Sequence, residues 1–218
     1  MKVPLDQLLW QEYLKKRWGI KANLSPLDGE FDLNYVAKSA DGRCYIVKVM
    51  REDCPHWLVD AQITALEHIH HKSPETPVPN VQYSLASEGA EFVQDQRGKE
   101  RLMWVIEHLP GQCYAKAAPK TPQLAHSLGR VLGKTAKALC DYQNDHLRRD
   151  FNWNLLQSDW IKDHINIINT TERRALISEI IAEFDVQKPI LEDLDTQVIH
   201  NDVNDYNILI TGHLTEPR

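Results

Sequence analysis

Three polar residues in the segment VIHNDVNDYNILI, His200, Asp202 and Asn207, have the types and spacing that could do chemistry. An Asp followed by an Asn in Asp-x4-Asn order suits phosphoryl transfer. The carboxylate accepts or orients the proton of an attacking hydroxyl, and the amide oxygen reaches a magnesium ion on the nucleotide phosphates. The histidine just ahead of the Asp completes the pattern. Short apolar runs flank the polar loop, which predicts that it sits at the mouth of a small hairpin. The competing reading makes Asn204, Asp205 and Asn207 turn formers and His200 a satisfied histidine. The flanking runs favour the chemical one.

Such a site also needs a cation for the phosphates. Lys48 lies in CYIVKVM, between Val47 and Val49, after the turn Ala40-Asp41-Gly42-Arg43. That is where a nucleotide-binding strand lysine would stand. A strand lysine taken alone is more often merely exposed; its order ahead of Asp202 gives it the phosphate-binding reading. By spacing, the next helix turns Gln62 toward this strand, with Glu67 a turn later. Gln62 can hydrogen-bond Lys48 but cannot neutralise it, so the lysine pairs with Glu67 or with nucleotide alone. Glu67 reads equally well as a solvated helix-face residue. In MWVIEHLPG an apolar strand runs into a turn, and the backbone groups of Glu107 and Leu109 are candidates for a purine edge, an ordinary strand end being the alternative. A phosphate-covering loop is expected in SPLDGEFDLNYV, where Gly29 is the one glycine. Backbone N–H groups around Asp28 to Phe31 can cradle phosphate, and a plain turn fits as well.

The elements that must position these residues follow from periodicity. Leu5 to Trp18 reads as an opening helix with Leu8, Leu9, Tyr13 and Trp18 on one stripe and Gly19 as its stop. NYVAK and CYIVKVM form an antiparallel hairpin. Leu58, Ile63, Leu66 and Ile69 recur at helical spacing after Pro55, up to the prolines 74, 77 and 79. Two more strands are predicted near Val81–Ala86 and Leu102–His108, with a polar stretch between them, and Leu109-Pro110-Gly111 ends the sheet. Beyond Thr121 the stripe Leu124, Leu128, Val131, Leu132, Thr135, Leu139 and Tyr142 marks a long helix. Further helices are predicted around 160–168 and 176–184, the last interrupted or ended before Pro189.

The order of these elements predicts an α+β fold of two lobes: a β-rich N-lobe over residues 1–110 and a helical C-lobe over 111–218, with a ligand between them. With 218 residues, 42% of them hydrophobic, the chain can build a sizeable core. A net charge of -6 and a pI near 5.9 disfavour nucleic-acid and membrane-surface partners, which reward a basic field. Cys44, Cys54, Cys113 and Cys140 lack the paired spacings of zinc sites or disulfide frameworks and read as reduced thiols. The first residues contain Asp6 and Glu12 and no long apolar run, which excludes a signal peptide or membrane span there and points to the cytoplasm.

Lys48, the stretch IEHLPG and the His200, Asp202, Asn207 loop together resemble the aminoglycoside phosphotransferase and choline kinase group of protein-kinase-like folds. FDLNYVAK, LVDAQITALEHI and VIHNDVNDYNILI extend that likeness to hydroxylysine kinase and to the kinase-like N-terminal domains of bacterial phosphotransferase-aminotransferase fusion proteins. The resemblance implies transfer of the γ-phosphoryl group of ATP or GTP, with magnesium, to a hydroxyl of a small amine-bearing metabolite. Lys48 would bind phosphate, Asp202 would be the base, Asn207 would bind metal and His200 would brace the loop. It also implies a second metal-binding Asp on a strand after the catalytic loop, whereas the only acidic residue after Asn207 is Glu216. The C-lobe therefore reads as incomplete, either a fragment of a longer polypeptide with further domains or a truncation with impaired chemistry. Gln62, the glycine-poor loop and the missing second Asp motivate a second reading, a catalytically silent kinase-like interaction or regulatory domain.

Overall fold

The computed structural model describes residues 5–29 and 31–212, the side chain of Leu5 excepted. Its first part runs α1 (Leu5–Trp18), β1 (Ala22–Leu27), β2 (Leu33–Ser39), β3 (Cys44–Val49), α2 (His56–Lys72), β4 (Val81–Gln82), β5 (Ala90–Gln94) and β6 (Glu100–Glu107). The strands make one antiparallel sheet in the order β1-β2-β3-β6-β4, with β5 also paired to β6. Alternation along β3 sends Tyr45, Val47 and Val49 to one face and Ile46 and Lys48 to the other. Trp10, Leu14 and Trp18 of α1 close the first face over Val47, Val49, Met103 and Val105. Val59 and Ile63 of α2 pack on the second, against Met50, Leu102 and Trp104.

Several expectations shift. The buried stripe of α1 is Trp10, Leu14 and Trp18, while Leu8 is exposed, because the helical period is phased by the larger tryptophans. Residues 25–27, read as loop, belong to β1; Pro26 is tolerated there because β1 is an edge strand. The polar stretch after residue 86 contains β5, which needs one inward side chain, Val93, and a turn whose Asp95 carboxylate accepts the N–H groups of Arg97 (2.8 Å) and Lys99 (2.9 Å). The strand expected over 81–86 shrinks to Val81–Gln82. The Trp18 indole donates to the Gln82 carbonyl (2.8 Å) and the Leu85 N–H donates to the Arg17 carbonyl (2.7 Å), which turns the chain onto the end of α1.

After the sheet come α3 (Pro122–Ala138), α4 (Trp160–His164) and α5 (Thr171–Glu192). Thr121 caps α3, its hydroxyl accepting the Leu124 N–H at 3.2 Å with proline in the first turn. The end of α3 packs Ala138 and Leu139 on Ile69 of α2. A polar clamp reinforces this pairing: His68 bonds the Asp141 carboxylate at 2.9 Å, Lys72 pairs with the same group, and the Tyr142 hydroxyl bonds Thr64 at 2.6 Å.

The chain divides into two compact units, Met1–Gln143 with Val198–Arg218, and Asn144–Gln197. In the second unit Asp159 binds Lys162 (2.8 Å) and Lys188 (2.6 Å), and Lys162 also reaches Asp185, so charge ties α4 to α5. The two lysines hold the Asp159 carboxyl down at about 2. Helix α5, expected to be interrupted or ended before Pro189, continues through it to Glu192; Pro189 forgoes its own backbone bond, and only three residues of the helix follow it. No helix among the described residues is long and apolar enough to cross a membrane.

Two measurements check this packing. Leu14, fully buried under the sheet, should cost about 2–5 kcal/mol when replaced by Ala, read by urea unfolding. The Asp141 carboxyl is held below the usual range by hydrogen bonds from Lys72 and then His68. A depressed carboxylate stabilises above its unfolded pKa and loses that contribution as pH falls through its folded value. The melting temperature of Asp141→Asn should therefore lie below wild type near neutral pH and converge with it as pH falls through the carboxylate range.

Candidate functional site

The loop after Val198 is built by short side-chain bonds. Asn201 adopts a left-handed conformation at φ 63, which an Asn tolerates better than most residues, and this turns the chain between His200 and Asp202. The Asp202 N–H donates to His200 Nδ1 at 3.3 Å. The Asp202 carboxylate is gripped from both sides, Oδ1 by Asn204 Nδ2 at 2.8 Å and Oδ2 by Asn207 Nδ2 at 2.7 Å. Asn207 Nδ2 also reaches the Asp202 carbonyl at 3.0 Å. Each carboxylate oxygen keeps a lone pair for another donor. With its amide nitrogen committed to Asp202, Asn207 leaves Oδ1 as the end able to ligate a hard cation. His200, Asp202 and Asn207 are thus brought together, all of them exposed.

The loop is anchored from far along the chain. β8 (Leu209–Ile210) pairs with β7 (Gln112–Cys113), in place of the hairpin between the loop's own flanks that the sequence predicts. The reason is visible at Gly111, φ 140, where a side chain would stand 2.8 Å from the Ile210 carbonyl oxygen, so only glycine lets β8 approach. The Tyr114 N–H donates to the Ile208 carbonyl and the Ala115 N–H to the Asp205 carbonyl, both at 2.9 Å. Lys120 binds the Asp205 carboxylate at 2.5 Å and lies 4.4 Å from the centre of the Tyr114 ring. Sequence reading missed Lys120 and Tyr114, whose partners lie some ninety positions away with no local signal. It also missed Asn204 as a brace, although its spacing from Asp202 was readable as a side-chain turn.

On the sheet, Lys48 is half-buried on the α2 face, its Nζ 5.3 Å from the centre of the Trp104 ring. Burial pulls its ammonium below the usual lysine range, and the Asp32 carboxylate acts in the opposite sense. Lys48 forms no ion pair among the described residues. Gln62 donates to the Leu58 carbonyl of its own helix at 3.1 Å and Glu67 is exposed, so neither meets the lysine. At the end of β6, the Glu107 N–H donates to the Asn80 carbonyl at 2.8 Å and its carboxylate accepts the Asn80 amide at 2.7 Å. The His108 N–H bonds Cys44 at 3.3 Å, and Leu109 follows with no backbone partner among the described residues. Two surface concavities, one lined by Lys162, Ile165 and Asp185 and the other by Trp10, Leu33 and Arg101, contain none of the candidate residues.

A lysine on the helix-covered face of an antiparallel sheet, followed by a helical segment and an exposed Asp-Asn loop, is the α+β arrangement of protein-kinase-like folds. The comparisons agree. Residues 23–217 match the family described as APH, Phosphotransferase enzyme family, and the chain belongs to that family. It is similar to a hydroxylysine kinase of Xenopus laevis, at 22% identity over 214 residues, covering 91% of this chain and 57% of that protein. Three solved structures share the fold. An amicoumacin kinase in complex with AMP-PNP, Ca2+ and Ami has TM-score 0.58 and 17% identity, over 79% of this chain and 49% of that one. An aminoglycoside phosphotransferase from Alicyclobacillus acidocaldarius has TM-score 0.54 and 15% identity, over 88% and 55%. A microcompartment-associated aminopropanol kinase has TM-score 0.52 and 18% identity, over 67% and 45%. The chain spans about half the length of these relatives.

If Lys120 anchors the loop, Lys120→Met should speed hydrogen exchange at the Ala115 amide while leaving the sheet amides of β3 and β6 unchanged. Exchange at Ala115 equal to wild type would show that the backbone pairing alone holds the loop.

Proposed function

We propose that this chain carries the nucleotide-binding and catalytic-loop portion of a small-molecule kinase, which transfers the γ-phosphoryl group of ATP or GTP to a hydroxyl of an amine-bearing metabolite. The observation that carries the reading is the Asp202 carboxylate held between Asn204 and Asn207 in an exposed loop, within a chain of the phosphotransferase family. Phosphoryl transfer runs mainly on positioning and charge neutralisation, and a fixed carboxylate with spare acceptor capacity suits a base that orients the attacking hydroxyl. His200 braces Asp202 through the backbone. Lys48 neutralises nucleotide phosphates, the backbone at Glu107 and Leu109 takes the purine edge, and Gln62 lies in the same layer as a weaker nucleotide contact. We read residues 1–110 as the N-lobe and 111–218 as the C-lobe of such a kinase, working in the cytoplasm.

Magnesium fits the residues present as a shared ligand. No group of three or more His, Cys, Asp or Glu among the described residues could hold a metal by itself. Asn207 Oδ1 offers one hard oxygen, as suits an ion held chiefly by nucleotide phosphates. When bound, the ion would neutralise charge on the transferred group. The names of the similar proteins, hydroxylysine kinase and aminopropanol kinase, support an amino alcohol as acceptor. The orientation of Gln62 along its own helix supports a second reading, a kinase-like domain that does not turn over.

Titration with magnesium and AMP-PNP, then a coupled assay of nucleotide turnover over a panel of amino alcohols and amino sugars, separates the two. Asp202→Ala should lower kcat by about 10²–10⁴. Lys48→Ala and Asn207→Ala should weaken magnesium-dependent nucleotide binding by about tenfold or more, the scale of a lost charge-assisted contact. Wild-type indifference to nucleotide would favour the silent domain.

A further inference from the structure

Among the described residues Lys48 is a desolvated cation without an ion pair, and α2 offers it no partner. Gln62 is turned back on the Leu58 carbonyl and Glu67 is exposed. The register of the sheet points to the opposite side. Asn34 of β2 stands directly across from Lys48, and Asp32, in the bend just before β2, is near enough for its charge to act on the Lys48 ammonium.

Both residues are fixed. Asp32 is half-buried, and its Oδ1 accepts the Arg51 N–H at 2.9 Å, which ties the start of β2 to the end of β3. Asn34 Nδ2 reaches the Asp32 carbonyl at 3.4 Å, and the turn closes over it so tightly that a side chain at Gly29 would stand 2.5 Å away. The other end of the amide, Asn34 Oδ1, is buried with no hydrogen-bond partner. A buried acceptor without a partner, at the register position across from a lysine with no ion pair among the described residues, has its missing donor within the same sheet. Among the described residues no other charged group acts on Lys48 than Asp32; Trp104, its neighbour on β6, and Gln62 on α2 are neutral.

We propose that Asp32 and Asn34 are the positioning residues of Lys48, supplying from β2 and the turn before it the counter-charge and acceptor that α2 does not. Their function is to keep the lysine protonated and aimed while it is buried, since desolvation favours the neutral amine and a neutral amine holds phosphate poorly. This rests on the phosphate-binding reading of Lys48. It differs from that reading in predicting an effect in the nucleotide-free protein.

The test is the pH profile of Lys48 acylation by an amine-reactive ester, followed by mass spectrometry of the Lys48 peptide without nucleotide. Asp32→Asn should move the midpoint to lower pH with an unchanged plateau, so that labelling near pH 8 rises about threefold or more, as expected for removing a nearby opposite charge. Asp32→Glu should restore the wild-type profile. Asn34→Asp, which places a carboxylate directly across from the lysine, should move the midpoint up. Gln62→Ala and Glu67→Gln should leave it in place. An unmoved midpoint in Asp32→Asn, a change of plateau alone, or an equal shift in either α2 variant overturns the assignment. Adding magnesium and AMP-PNP to the wild-type sample judges the other reading separately: absence of protection at Lys48 overturns its phosphate role, while the nucleotide-free midpoint alone judges Asp32 and Asn34.

Discussion

The pairing of β3 between β2 and β6 is the constraint on which the rest of the first unit depends. The alternate residues of β3 serve both faces, as those of its neighbour β6 do. Tyr45, Val47 and Val49 complete the core under α1, and Lys48 is thereby forced to the face that α2 covers. A slip of one residue in register would bury the lysine under Trp10 and Leu14 and expose the valines, so hydrophobic burial specifies the position of the charge. The candidate phosphate ligand is fixed by packing in which it takes no part.

The candidate catalytic loop is held differently. Its inner geometry is local, four amide or imidazole bonds to Asp202 within a few residues. Its placement is not local, because β8 and Asp205 are held by β7, Tyr114, Ala115 and Lys120. The segment that leaves the sheet at Gly111 thus also seats the loop. One short stretch from the end of β6 onward therefore carries both the purine-edge candidates and the anchor of the base candidate, which couples their positions chiefly through backbone bonds, the exposed Lys120–Asp205 pair adding little.

The unit over residues 144–197 obeys other rules. Its helices bury no residue, and Leu176, Ile180 and Ile190 of α5 remain exposed. What joins α4 to α5 is the lysine and aspartate lattice around Asp159. Apolar periodicity located α5 and left it interrupted or ended before Pro189, whereas the helix carries the proline in its last turn.

What the sequence by itself determined was local. It placed the hairpin around Asp41-Gly42, the helices α1, α2 and α3, the face of Lys48, and the cluster of His200, Asp202 and Asn207. Each of these follows from periods of 2 and 3.6 or from side chains a few residues apart. The tertiary structure alone decided matters that depend on residues distant in the chain. It made Pro26 part of an edge strand, and it gave β8 to β7 instead of to the loop's own flank. It brought Lys120 to Asp205, and it set Asn34 of β2 across from Lys48 while Gln62 turned back on its own helix. The physical reason is that pairing and ion contact between remote segments are chosen by what the core allows to approach. A glycine at 111 or a buried valine at 47 leaves no local trace of the partner it admits.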